Sequence, residues 1–154
     1  MRPQLLSLCV FVAAFAAACS STGDSKTVPP IDGGDERPII ESEFEVAVSR
    51  DGNYLLGWRP VKRADVPVNE YFEIEAYIAP TRTPNDRVQD ARLVVSAWMP
   101  GHGHGMVTTP KADPTGEGTY IVKGMLFHMG GFWQLFFDVV QGQTAERIEF
   151  ELNL

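Results

Sequence analysis

The chain has 154 residues, of which 44% are hydrophobic and 21% charged, and its formal net charge is −7. That length holds one folded domain plus extensions, and the balance is ordinary for a globular chain. The acidic excess argues against nucleic acid as a partner and against electrostatic docking on anionic lipid, because both need clustered Lys and Arg.

At the N-terminus, residues 5–18 form an apolar run of 14 behind Arg2. This is too short for an ordinary membrane-spanning helix and fits a signal-peptide core. The run ends Phe15-Ala16-Ala17-Ala18-Cys19. Small residues before a cysteine resemble the bacterial lipoprotein lipobox, although Ala16 stands where that motif usually has Leu. The resemblance implies a lipoprotein signal peptide over residues 1–18 and lipid on Cys19; an ordinary cut near Ala18 is the alternative. Ser20 after the cysteine, by analogy with enterobacterial sorting, implies an outer-membrane lipoprotein facing the periplasm, with the inner membrane as the other option. The implied partner at this end is the membrane, held through the lipid anchor.

Residues 20–38 are rich in Ser, Gly, Pro and Asp. Such a segment buries too little apolar surface to offset its ordering entropy. Residues 19–38 are therefore expected to be a lipidated cysteine and a flexible linker with a reach of roughly 25 Å. Of the two cysteines, Cys9 leaves with the leader and Cys19 starts the tether. The domain expected over residues 39–154 thus has no thiol, so a soft-metal site in it must use His and Met.

From residue 39 the apolar pattern has period two. Phe44, Val46 and Val48 alternate with Glu43, Glu45 and Ala47, and Asp51-Gly52-Asn53 reads as a turn before Tyr54 to Trp58. Phe72, Ile74, Ala76 and Ile78 form the next apolar set, and residues 80–90 read as a polar loop. Leu93, Val95, Ala97 and Met99 follow, then a turn over residues 111–116 and strands near 119–127, 132–140 and 146–153. The core is expected on Trp133, Leu135, Phe137, Ile148 and Phe150, with Phe132 and Phe136 on the opposite face. About seven strands with turns between them predict an all-β protein, an immunoglobulin-like antiparallel β-sandwich without the inter-sheet cysteines. Gly118-x-Tyr120 and Gly131-x-Trp133 each set an aromatic at a strand start, where it can pin a loop back to the sheet. About 115 residues suffice for a core, so folding needs no metal.

The stretch Met99-Pro100-Gly101-His102-Gly103-His104-Gly105-Met106 holds two of the three histidines and two of the five methionines. In extended backbone His102, His104 and Met106 would share one side. Met99 can join from the preceding strand end, and His128-Met129 offers a further imidazole and thioether. If a strand ran through residues 125–129, His128 and Met129 would point to opposite sides. Imidazole with thioether suits copper, as Cu(I) or Cu(II), better than calcium or magnesium. The competing reading is a solvated glycine loop with gap-filling methionines.

The order of these motifs resembles the YtkA-like domain family of exported bacterial proteins. The residues that carry the resemblance run from Ala97 to Met106, with Gly118-Thr119-Tyr120 and with Phe127-His128-Met129-Gly130-Gly131-Phe132-Trp133. They span a domain of roughly residues 41–154. The resemblance implies a small β-sandwich, often a lipoprotein, similar in architecture to periplasmic copper-handling sandwiches. In the family pattern Met99-Pro100 and Met129 are the matching positions, and His102 and His104 fall in its His/Met-rich loop.

No Gly-x-Ser-x-Gly, HExxH or phosphate-binding glycine loop is present in the sequence, so an enzyme is not expected. Glu73 and Glu75 read as a solvated strand face, and no carboxylate or serine sits near His102 and His104 in sequence, which leaves only a distant partner such as Asp138. Three functions remain from sequence. One is a copper-binding lipoprotein, with a copper-delivery or envelope protein as partner. The second is a metal-free interaction module using Trp98, Phe132 and Phe136. The third is a sandwich that binds a small ligand.

Overall fold

A computed structural model describes residues 43–154. The leader, Cys19 and the linker lie outside the described residues. Nine strands form two antiparallel sheets. They are β1 (Glu45–Val48), β2 (Tyr54–Pro60), β3 (Phe72–Pro80), β4 (Arg92–Met99), β5 (His104–Gly105), β6 (Lys111–Gly116), β7 (Thr119–Met125), β8 (Phe132–Gln141) and β9 (Thr144–Asn153). One sheet has the order β1-β2-β3-β7-β6 and the other β5-β4-β8-β9. From β2 onward this is the immunoglobulin arrangement of strands ABED over CFG. β1 is added outside the first strand of one sheet, and β5 outside the first strand of the other.

Alternation builds the core. β8 and β9 pair Leu135 with Phe150 and Phe137 with Ile148, and all four are buried together with Trp133. Trp58 crosses from the other sheet and meets Phe150 edge-on at 5.9 Å. Phe132 is 37% exposed, and Phe136 lies half-buried beneath the Arg147 guanidinium at 4.5 Å. The expected register of this sheet therefore holds.

Three expectations are corrected. In β1 the apolar parity faces outward, with Val46 and Val48 each 49% exposed while Ala47 packs on the core. The register explains it: Ala47 pairs with inward Leu56, whereas Val46 pairs with Gly57. Tyr77 lies over Gly57, where a Cβ would stand 2.2 Å from its ring. Phe44 meets that ring edge-on at 5.0 Å and carries Arg59 at 4.6 Å, so the outer face captures the apolar set. Residues 111–116 form a strand instead of a turn. It is an edge strand, where proline is tolerated, and its register shifts between Pro114 and Gly116. The strand begun at Thr119 ends at Met125; beyond it Phe127 makes only a bridge to Val68.

Both glycine–aromatic pairs pin loops. Tyr120 Oη donates to the Ala91 carbonyl at 2.6 Å, and Trp133 Nε1 donates to the Met129 carbonyl at 2.9 Å. The second bond fixes the loop that carries His128.

Candidate functional site

β4 delivers Met99 to one end of the sandwich, and the chain turns there at once. The amides of His102 and Gly103 donate to the Met99 carbonyl at 3.1 and 2.9 Å, and Gly103 takes a positive φ of 69°. β5 then returns, pairing His104 with Met99 and Gly105 with Trp98. Because residues 100–103 turn, His102 does not continue a strand with His104 and Met106. The shared extended face expected from sequence is replaced by a hairpin.

The hairpin still brings the imidazoles together. The His102 and His104 ring centres lie 5.7 Å apart, and those of His104 and His128 lie 5.0 Å apart. His128 arrives from the loop between β7 and β8. Trp133 closes the inner side, edge-on to His104 at 6.0 Å and to His128 at 5.6 Å. His102 is exposed, whereas His104 and His128 are half-buried. All three histidines of the chain thus sit in one row.

The methionines divide. Met99 is 3% exposed and belongs to the core. Its Cε lies 2.8 Å from where a Cβ on Gly131 would stand, and Gly131 has a φ of 124°. Glycine there gives both the backbone shape and the room for the thioether. Met129 is half-buried against the core, just after His128. Met106 lines a separate groove with Val95, Ala97, Thr108 and Pro110.

The polar atoms of the row have free capacity. His104 Nδ1 lies 3.1 Å from the Gly105 carbonyl. In the neutral ring that contact makes Nδ1 the donor and leaves the Nε2 lone pair for a ligand. His128 Nδ1 is buried with no hydrogen-bond partner. An imidazole on a metal puts its ring centre roughly 3.2 Å from the ion, so rings sharing a tetrahedral ion lie about 5 Å apart. The observed spacings are close to that. Among the described residues, however, no three His, Cys, Asp or Glu side chains converge as a ready ligand set. The donors at this end are the half-buried imidazoles of His104 and His128, the exposed imidazole of His102 and the half-buried Met129 next to His128.

All six candidate ligands, and both glycine–aromatic pairs, lie within one matched segment: the YtkA-like family model covers residues 60–137. The chain belongs to the YtkA-like family. No curated protein and no solved structure matches it. In this YtkA-like domain Asp138 is taken up by Arg147, which donates to both carboxylate oxygens at 2.7 and 2.8 Å, so it is not positioned as a base for the histidines. Glu75 is likewise engaged by Arg59 at 2.8 Å. The sequence reads Trp133 as a core and loop-pinning aromatic; that its ring also walls the histidine row is seen only in the structure, and its short spacing from His128 is the one local signal.

Proposed function

We propose that this YtkA-like domain binds one copper ion as cargo at its histidine end, for metal handling or delivery on the periplasmic face of a bacterial membrane. The observation that carries the reading is the row of three imidazoles, with neighbouring ring centres 5.7 and 5.0 Å apart, beside an unpartnered His128 Nδ1. His104 and His128 hold the ion, and His102 swings in from its exposed turn. Met99 and Met129 supply thioether, which favours Cu(I) over harder ions. Met106 joins only if β5 shifts. Ligation uses neutral imidazole, so acidification releases the ion. The domain itself does no bond-making chemistry; it presents the ion to a delivery partner.

Titration with Cu(II), followed by visible absorbance and Trp133 emission, tests the site, together with a Cu(I) competition assay. His102→Ala with His104→Ala abolishes Cu(II) binding. Met99→Leu or Met129→Leu mainly weakens Cu(I), since volume is nearly conserved. Absence of binding tighter than about millimolar at pH 7 overturns the reading. The interaction-module alternative then leads, supported by Trp98 at 42% and Phe132 at 37% exposure on the outer face of β4 and β8.

The same proposal includes the anchor. Cys19 carries lipid, and Cys19→Ser releases the protein from the membrane fraction. A wild-type protein found wholly soluble with unmodified Cys19 refutes that part alone.

A further inference from the structure

The edges of the two sheets are guarded unequally. β6 carries Pro114, a register shift and the charged Lys111 and Asp113. β9 exposes Glu149 and Glu151, and the Arg50 amide crosses it to the Arg147 carbonyl. β1 has only four residues. Short edges, charges, prolines and bulges are the devices that keep a sheet edge from pairing with another chain. β4 lacks them over residues 92–96, which hold no proline, no lysine and no register shift, and Arg92 as their one charge. β8 pairs with β4 from Arg92 to Trp98, whereas β5 pairs on the other side only with Trp98 and Met99.

Beyond β5 the Met106 amide donates to the Ala97 carbonyl at 3.3 Å. Backbone groups of an antiparallel strand turn alternately to its two neighbours, so Leu93 and Val95 present N–H and C=O to the same side as Ala97. Among the described residues nothing bonds to them there. The lane beside them is open: a groove of about 230 Å³ separates Val95, Ser96 and Ala97 from Met106, Thr108 and Pro110. Val94 lies between the two free residues on the outer face, 37% exposed.

We propose that this free edge pairs with the same edge of a second copy of the chain, antiparallel and two-fold about Val94. In that register Leu93 faces Val95 of the second copy, and Val95 faces its Leu93. Each pair exchanges two backbone bonds, so every free group of Leu93 and Val95 is met in both copies. Val94 stands opposite Val94 of the second copy as a non-hydrogen-bonded pair, where side chains come closest. Arg92 stands opposite Ser96, so no like charges meet along the pairing although each chain carries −7. At both ends the next residue, Ala97, is already taken by the Met106 amide, which limits the pairing to residues 92–96 and centres it on Val94. A second β4 is itself an unguarded apolar strand of matching length, and this self-matching window is what selects it as the occupant. Contact between identical patches closes on itself and yields a dimer, not a fibre. The pairing involves neither the histidine row nor a metal.

Disulfide trapping in the full chain tests the register. With Cys9→Ala and Cys19→Ser no other cysteine remains, and Val94→Cys is expected to form an intermolecular disulfide under mild oxidation, because Cα atoms of such a pair lie about 4.5 Å apart. Val46→Cys, at 49% exposure on β1, is the collision control and crosslinks about tenfold more slowly or less. Sedimentation of the metal-free Cys19→Ser chain shows a monomer–dimer equilibrium by roughly 0.1 mM. Val94→Lys sets two cations across the axis and weakens the dimer about tenfold or more, while Val94→Thr keeps it. Val46→Lys makes the same change in net charge and leaves the dimer as it was. Both lysines enter at exposed positions, so folding survives. A monomer up to about 1 mM, equal trapping of the two cysteine variants, or an unaltered dimer in Val94→Lys overturns the proposal.

Discussion

The two ends of the sandwich handle buried polar atoms in opposite ways. At the end where β2 and β9 begin, Glu146 is 3% exposed, yet its carboxylate is fully engaged. Ser49 Oγ and Asn53 Nδ2 each donate to it at 2.6 Å. Ser49 Oγ in turn accepts from the Tyr54 amide at 3.0 Å, and the Arg50 amide donates to the Arg147 carbonyl. At the histidine end His128 Nδ1 is buried with nothing to bond, and three imidazoles crowd together. A satisfied buried network fixes a fold, whereas an unsatisfied one is either a defect or a place for a guest. The first end reads as a clamp, and under the proposed function the second is a receptor.

Trp133 ties the receptor to the core, so its removal gives the largest effect. Its ring packs on Phe127 at 5.2 Å as well as on the histidines, and its N–H holds Met129. Trp133→Ala is expected to destabilise by about 3–5 kcal/mol. Phe136→Ala, on the outer face of the same strand, costs about 1 kcal/mol. Urea denaturation of the two variants checks the ranking. A reversed order would mean that the histidine end is not built on the core.

Next in size is the clamp. Glu146→Ala leaves Ser49 and Asn53 without their acceptor and costs about 1–3 kcal/mol. Burial pushes the Glu146 carboxyl up, but the hydrogen bonds from Ser49 and Asn53 outweigh it and hold the carboxyl below the usual carboxylate range. A depressed folded value means the stabilisation is fully present above the unfolded carboxylate pKa. It is lost as pH falls through the folded value. Wild-type stability therefore declines over that acid window, and Glu146→Ala removes this part of the decline. Parallel acid-titration slopes for the two proteins would deny Glu146 that role.

The contrast between the ends explains what could be read from sequence. Period two predicts the register of β8 and β9, because Leu135, Phe137, Ile148 and Phe150 line the buried face of those strands while Phe136, Glu149 and Glu151 lie on the outer one. It failed at β1, where both faces carry apolar groups and only the pairing of Ala47 with Leu56 decides between them. It also failed at β6, because Lys111-Ala112-Asp113-Pro114 has turn composition yet sits at an edge that tolerates it. The His/Met stretch announced itself because rare residue types repeat at short spacing. Its hairpin shape did not, since glycines permit both extension and a turn. The Glu146 network left no local signal at all, because its donors Ser49 and Asn53 stand more than ninety positions away in the chain.

The smallest stability change is expected at His128, and its sign separates clamp from receptor. His128→Phe keeps the ring shape and its edge contact with Trp133 while deleting the unpartnered Nδ1. Replacing a buried polar group that has no partner by an apolar group of the same shape is nearly neutral or stabilising. The metal-free variant should therefore match the wild type, or exceed it by up to about 1 kcal/mol, in urea or thermal denaturation. Copper binding should fall in the same variant, so that function and stability move in opposite directions, as they do where a site is held in readiness for a ligand. A loss beyond about 1.5 kcal/mol would show that the imidazole is satisfied in solution. The histidine end would then be a second clamp, and the difference between the two ends would disappear.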